Sequence, residues 1–327
     1  MDLRPFGNTS LSVTKIGLGL AALGRPGYIN LGHAGDLDHN YDLKSMESHT
    51  HKMLDLAYKK GIRYFDAARS YGRAEAFLSS WMGRHEDITV GSKWGYIYTA
   101  DWKVEAEHHE IKEHSIDVLK RQWQETLNTL NRKPDIYHIH SASMESAVLE
   151  NNQVLDYLCQ LRENGLIIGL SLSGPGQADT LEKSMEIKSS EKQLFQSVQV
   201  TWNVLERSAT SAIEKAANAG YGIIIKEALA NGRLTNRNTD AGFQDKMNLI
   251  SEIAEAHQVG ADAIAIAYIL QQPWNSVVLS GAVQKSHLDS NLEALGINLS
   301  PTEIENLNQL AESPEEYWQT RSALEWN

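Results

Sequence analysis

With one cysteine, Cys159, among 327 residues, the chain has no internal partner for a disulfide and no Cys/His array at zinc spacing. That scarcity suits a reducing, cytoplasmic setting, and Cys159 falls in a helical pattern as a packed residue. Cations are short as well: 30 Lys and Arg stand against 42 Asp and Glu, a formal net charge of −12. A nucleic-acid surface needs clustered Lys and Arg to replace counterions, so that class of partner is excluded and an anionic ligand must be held by local groups. No apolar run is long enough for a bilayer, and the opening MDLRPFGNTSLSVTKIG carries early charges without an apolar core, which argues against a secretory signal or membrane span. Linkers and low-complexity stretches are missing too, so residues 1–327 read as one soluble domain.

What is present is an ordinary globular composition, 42% hydrophobic and 22% charged, enough for a sizeable core. Short β-branched runs bounded by turn residues alternate with longer amphipathic stretches, the pattern of repeated βα units. There are eight runs: KIGLGL at 15–20, RYFD at 63–66, ITVGSK at 88–93, DIYHIH at 135–140, LIIGLSLS at 166–173, FQSVQV at 195–200, GIIIKEAL at 222–229 and SVVLSG at 276–281. Helical patterns lie between them, for example at 46–61, 111–130, 147–165 and 211–220. Eight parallel strands with intervening helices predict an α/β fold, a closed (β/α)8 TIM barrel. RPFGNTSLSV at 4–13 carries a Gly-Asn turn between apolar residues and predicts an N-terminal β-hairpin that plugs the barrel floor. Two additional helices are expected over 261–272 and 300–312.

In such a barrel the reacting groups come from the C-terminal ends of the strands. Strand two ends in Asp66 and is followed by Tyr71, strand three ends in Lys93 and strand four in His140. A Lys within hydrogen-bonding distance of a Tyr lowers its pKa, and an Asp paired to that Lys holds it charged and oriented. Such a Tyr can serve as general acid or base, with the imidazole holding a carbonyl oxygen. Hydride must then come from a cofactor, of which nicotinamide is the obvious one.

Other features compete. His138 and His140 share one face of strand four and could belong to a metal-dependent hydrolase, but no further ligands stand at the other strand tips, so no metal is expected. His138 reads as a core residue one layer below His140. His108, His109 and His114 are interleaved with Glu105, Glu107, Glu110 and Glu113 and read as a solvated acidic face. GLGLAALG at 17–24 misplaces its third Gly for a dinucleotide fingerprint and reads as a strand end near a ligand, through Gly19. Tyr28, Trp94, Tyr96 and Trp202 are candidate pocket aromatics, Trp94 foremost because it adjoins Lys93, and Trp102 lies further along the same loop.

Through DAARSYG at 66–72, GSKWG at 91–95 and DIYHIH at 135–140 the sequence resembles the aldo-keto reductase family over nearly its whole length, nearer to bacterial sugar- and aldose-dehydrogenase-like branches than to vertebrate aldose reductases. The resemblance implies a catalytic tetrad of Asp66, Tyr71, Lys93 and His140, with Tyr71 as proton donor to the substrate carbonyl. It further implies that Ser171 and Gln199 meet the nicotinamide carboxamide. Lys226, Leu229, Asn231 and Gly232 would follow strand seven in a pyrophosphate loop, and Ser280, Gly281, Lys285, His287 and Asn291 would hold the adenosine phosphates. Lys226 replaces a common aromatic, Leu172 a common Asn, and His287 an Arg frequent in NADP-preferring members. The family's habit favours NADP(H), with NAD(H) as the alternative, and a small carbonyl compound or open-chain sugar as substrate. The expected activity is reversible carbonyl reduction. An aldose dehydrogenase working oxidatively is the runner-up, followed by a cofactor-sensing subunit like the potassium-channel β subunits of that family.

Overall fold

The computed structural model describes residues 1–274 and 276–327. Eight parallel strands close into a barrel: β1 Ile16–Gly19, β2 Tyr64–Asp66, β3 Thr89–Trp94, β4 Ile136–Ala142, β5 Ile167–Leu172, β6 Ser197–Thr201, β7 Gly222–Lys226 and β8 Val277–Ser280. All eight expected runs are strands, each paired with its neighbours in chain order, and β8 closes on β1 through Leu279 and Gly17. Side chains alternate along each strand, one set filling the barrel and the other meeting the helix layer.

Apart from the single helical turn His33–Asp36, the α-helices are α1 Leu43–Lys59, α2 Ala74–Met82, α3 Ile116–Leu130, α4 Asn152–Glu163, α5 Gln177–Glu186, α6 Thr210–Asn218, α7 Gln244–His257, α8 Ala261–Leu270, α9 Lys285–Glu293, α10 Pro301–Asn308 and α11 Pro314–Ser322. Asp42, Ser115 and Asn151 accept a backbone N–H at the starts of α1, α3 and α4, satisfying donors that a helix cannot pair internally. The two additional helices are α8 and α10, and α11 follows them, begun by Ser313 with Pro314 at its first position.

At the floor, the hairpin pairs Arg4 with Val13 and sends Phe6 into a cluster with Val13, Tyr64, Ile136, Ile167, Ile224 and Val277. Phe6 also packs on the Cα of Gly222, where any Cβ would collide with its ring. Two further hairpins lie outside the barrel, Tyr96–Tyr98 with Glu110–Lys112 and Lys188–Ser189 with Lys192–Gln193. The first of these occupies what reads in sequence as loop and helix start after strand three, and α3 begins only at Ile116.

Candidate active site

β2, β3 and β4 bring the four expected residues together at the C-terminal mouth. Asp66 and Lys93 point into the barrel and form a buried ion pair, and the Lys93 ammonium also donates to the Ala67 carbonyl at 2.9 Å. Asp66 further accepts from the Gln199 amide at 2.9 Å and the Tyr64 hydroxyl at 3.2 Å. Gly91 leaves room for this group, since a Cβ there would strike the Tyr64 hydroxyl. The Tyr71 hydroxyl stands 3.4 Å from Nε2 of His140, whose Nδ1 lies 3.4 Å from the Ser70 hydroxyl.

Lys93 meets Tyr71 differently from the expectation: its Nζ sits 4.9 Å from the ring centroid, spent on Asp66 and the Ala67 carbonyl. Burial, then the Asp66 charge, pushes the Tyr71 phenol well above its ordinary value, with the Arg25 cation opposing. Burial, followed by Lys93 and Arg25, holds His140 well below the usual imidazole range. At neutral pH the site therefore pairs a protonated phenol with a neutral imidazole, a proton donor beside a hydrogen-bonding group.

Asp66, Tyr71 and His140 line the inner end of a cavity of about 430 Å³, with Lys93 fully buried behind them. Tyr28 and Tyr96 line it, Tyr96 standing 4.9 Å from His140 ring to ring. Trp94 and Trp202 do not reach it. Trp94 is fully buried in the outer core with an edge on His114, and Trp202 stacks on Tyr268 at 5.4 Å. The reason is alternation: a residue next to an inward-pointing Lys93 or Thr201 faces the helix layer. Trp102 is likewise turned away, against Phe77 and the Tyr41 carbonyl.

Gly19, Gln199, Lys226, Leu229, Asn231, Gly232, Ser280, Gly281, His287 and Asn291 all line the cavity. Lys226 donates to the Thr201 hydroxyl at 2.6 Å and lies 3.6 Å from Glu227, and burial brings its amine down to about 8. Two residues depart. The Ser171 hydroxyl accepts from the Ser141 backbone at 2.9 Å, and it is Ser173 that lines the cavity; Lys285 projects into solvent and pairs with Asp289. The outer part is a cradle: a Cβ at Gly281 would meet no atom within 4 Å, and Oδ1 of Asn231 is buried without a hydrogen-bond partner. With the first turn of α9 beside it, such a cradle suits the phosphates of a dinucleotide.

Several lining residues escape sequence reasoning. Arg25, 3% exposed, donates to Glu110 at 2.9 Å and lies over the rings of Tyr71, Tyr28 and Trp326. Trp326 stacks on His109 at 3.9 Å, and His114 bonds the His140 carbonyl at 2.9 Å, so this segment braces the site as well as facing solvent. Glu227 joins Lys226 to Arg321, and Asp36 joins Arg237. His138 is buried on the Ser197 hydroxyl at 2.9 Å. Among the described residues no group of three or more His, Cys, Asp or Glu is arranged to hold a metal ion, and no helix is long and apolar enough to cross a membrane.

The buried histidines carry a consequence for stability. Burial brings His33 and His114 down to about 4, and His138 and His140 lie well below their usual value. The unfolded chain protonates them near pH 6.5, so it binds more protons than the fold below that pH, and stability falls as pH drops toward 4. For fully buried His33 the loss is on the order of 3 kcal/mol. Urea midpoints are expected to decline across this window, with a shallower slope after His33→Gln; an unchanged slope would contradict the assignment.

A protein of Saccharomyces cerevisiae described as a probable aryl-alcohol dehydrogenase is 27% identical over 293 residues, covering 79% of this chain and 86% of the relative. An aryl-alcohol dehydrogenase [NADP(+)] of Phanerodontia chrysosporium is 24% identical over 307 residues, covering 84% and 79%. Among solved structures, the holo form of an aldo-keto reductase from Bacillus halodurans superposes with a TM-score of 0.72 at 17% identity, covering 96% of this chain and 97% of that one. The sequence model of the Aldo/keto reductase family matches residues 15–312, and the chain belongs to that family.

Proposed function

We propose that this oxidoreductase reduces an aldehyde, ketone or open-chain sugar to the alcohol, using NADP(H) or NAD(H), with Tyr71 as the proton donor. The observation that carries this reading is the Tyr71 hydroxyl 3.4 Å from Nε2 of a neutral His140 at the inner end of the cavity. A carbonyl oxygen placed between the two would accept a hydrogen bond from each, provided His140 carries its proton on Nε2. The Ser70 hydroxyl favours that tautomer, since it can donate to Nδ1. As the carbonyl oxygen gains charge, Tyr71 passes it the phenolic proton. The Lys93 cation beneath the ring then stabilises the tyrosinate that results, and Asp66 keeps Lys93 in place.

The nicotinamide supplies hydride when bound. Gln199, held by Asp66, would meet its carboxamide. Leu229, Asn231 and Gly232 would flank the pyrophosphate with Ser280, Gly281 and the start of α9, while His287 and Asn291 would border the adenosine. At the substrate side Tyr28, Tyr96 and Trp326 offer flat apolar area, with Arg25, Glu110 and Lys226 as polar groups. The oxidative direction needs Tyr71 as a base, whereas burial with the Asp66 charge keeps the phenol protonated, the form from which carbonyl reduction starts. The reading is tested by titrating the protein with NADH and NADPH by nucleotide fluorescence, then following nucleotide oxidation over a panel of aryl aldehydes, ketones and aldoses. Saturable nucleotide binding with turnover of at least one carbonyl class is expected; failure to bind either nucleotide would end the proposal.

A further inference from the structure

The outer end of the cavity holds a charge arrangement that carbonyl reduction leaves unused. The connection after β1 forms a short helix, His33–Asp36, and sets Asp36 against Arg237 from the segment after β7. The pair is bidentate: Nη1 of Arg237 donates to one carboxylate oxygen at 2.7 Å and Nη2 to the other. Nη1 also donates to the Leu31 carbonyl at 3.0 Å, and Nη2 meets Nε2 of His287 at 3.0 Å. The Asp36 side chain is only 4% exposed. A second carboxylate, Asp262 at the start of α8, accepts from Ser290 at 2.9 Å and Asn291 at 2.8 Å. Asp36, Arg237, Asp262, His287 and Asn291 all line this end of the cavity.

We infer that this end selects NAD(H) over NADP(H), with Asp36 as the specificity-determining residue. The inference rests on the cavity holding a dinucleotide whose nicotinamide lies toward Tyr71, which puts its adenosine ribose among these groups. A 2′-phosphate brings nearly two negative charges and is best met by an uncommitted Arg fork. Here the fork is already closed on Asp36. His287 is held below its usual value by burial and the neighbouring Arg237, with Asp36 opposing, so it adds no firm charge, and Lys285 is turned to solvent on Asp289. A phosphate would have to draw Arg237 away and leave a buried carboxylate facing a dianion, an unpaired like-charge contact. Ribose hydroxyls have the opposite need. They are donors, and a carboxylate keeps lone pairs free after accepting one Arg fork. An acidic side chain for the hydroxyl and an Arg for the phosphate is the general division in dinucleotide sites.

The test is a pair of fluorescence titrations on the purified protein, NADH against NADPH, repeated on Asp36→Asn and Arg237→Gln. The unaltered protein is expected to bind NADH tighter by roughly tenfold or more. Asp36→Asn should weaken NADH and strengthen NADPH, because it removes the repelling charge and frees the Arg237 fork, so the ratio narrows or reverses. Arg237→Gln, which keeps Asp36, should leave the preference for NADH in place. Tighter binding of NADPH by the unaltered protein, or an unchanged ratio in a folded Asp36→Asn variant, overturns the inference while the dinucleotide site stands. So does a selective loss of NADPH affinity in Arg237→Gln, which remains decisive if Asp36→Asn does not fold. Binding of neither nucleotide removes the site reading and the inference together.

Discussion

Tyr71→Phe is expected to lower turnover by about 10²–10⁴-fold, the usual span for a positioned proton donor, while nucleotide affinity and fold persist. The substitution removes one hydroxyl and keeps the ring, so the edge contact with His140 at 5.4 Å and the approach of Lys93 at 4.9 Å survive. The only hydrogen-bonding distance lost is the 3.4 Å approach to His140, long enough that the stability change should stay under about 1 kcal/mol. A loss confined to kcat at saturating nucleotide would identify proton transfer as the step affected. Turnover within a few fold of the parent would remove Tyr71 from the chemistry.

Lys93→Met tests the other half of the centre, and here stability and activity should both fall. Lys93 and Asp66 are 0% and 3% exposed in their side chains, so losing the cation strands a carboxylate in the barrel interior. Breaking a buried pair from one side costs about 3–5 kcal/mol. The double change Lys93→Met with Asp66→Asn removes both charges and should regain much of that stability, leaving an amide for the Tyr64 hydroxyl and Gln199 to bond. It should not regain activity, because no cation then faces the tyrosinate. Urea midpoints for the single and double variants separate the two effects. A single variant as stable as the parent would mean the pair is not what holds the barrel mouth together.

The barrel was legible because its strands are short, β-branched and punctuated, and because Phe6 flanks a Gly-Asn turn that only a hairpin satisfies. Asp66, Lys93 and His140 were legible as polar residues at the ends of consecutive strands, and Tyr71 as a residue of the connection that follows β2. Cavity-lining residues were harder. Trp94 seemed a pocket residue because it follows Lys93, yet strand alternation sends consecutive side chains to opposite faces, and the same rule separates Trp202 from Gln199. Applied strictly, the period of two would have placed both tryptophans in the outer core. Arg25, Asp36 and Arg237 had no such signal. They sit in connections without periodicity, and their partners Glu110, Arg237 and Asp36 lie 85 and 201 residues away in sequence. Glu110 was masked further by the neighbouring Glu105, Glu107 and Glu113, which made a half-buried ion-pair partner look like part of a solvated run.

The proposed reaction is direct hydride transfer to a carbonyl carbon with proton delivery by Tyr71. Turnover of a reducible carbonyl with nicotinamide deuterated at C4 of the transferring face tests it. One deuterium is expected on the new carbinol carbon, none from deuterated solvent at that carbon, and no labelled product from Tyr71→Phe on the same timescale. Label appearing only from solvent, or a labelled alcohol formed equally fast without the Tyr71 hydroxyl, would contradict it.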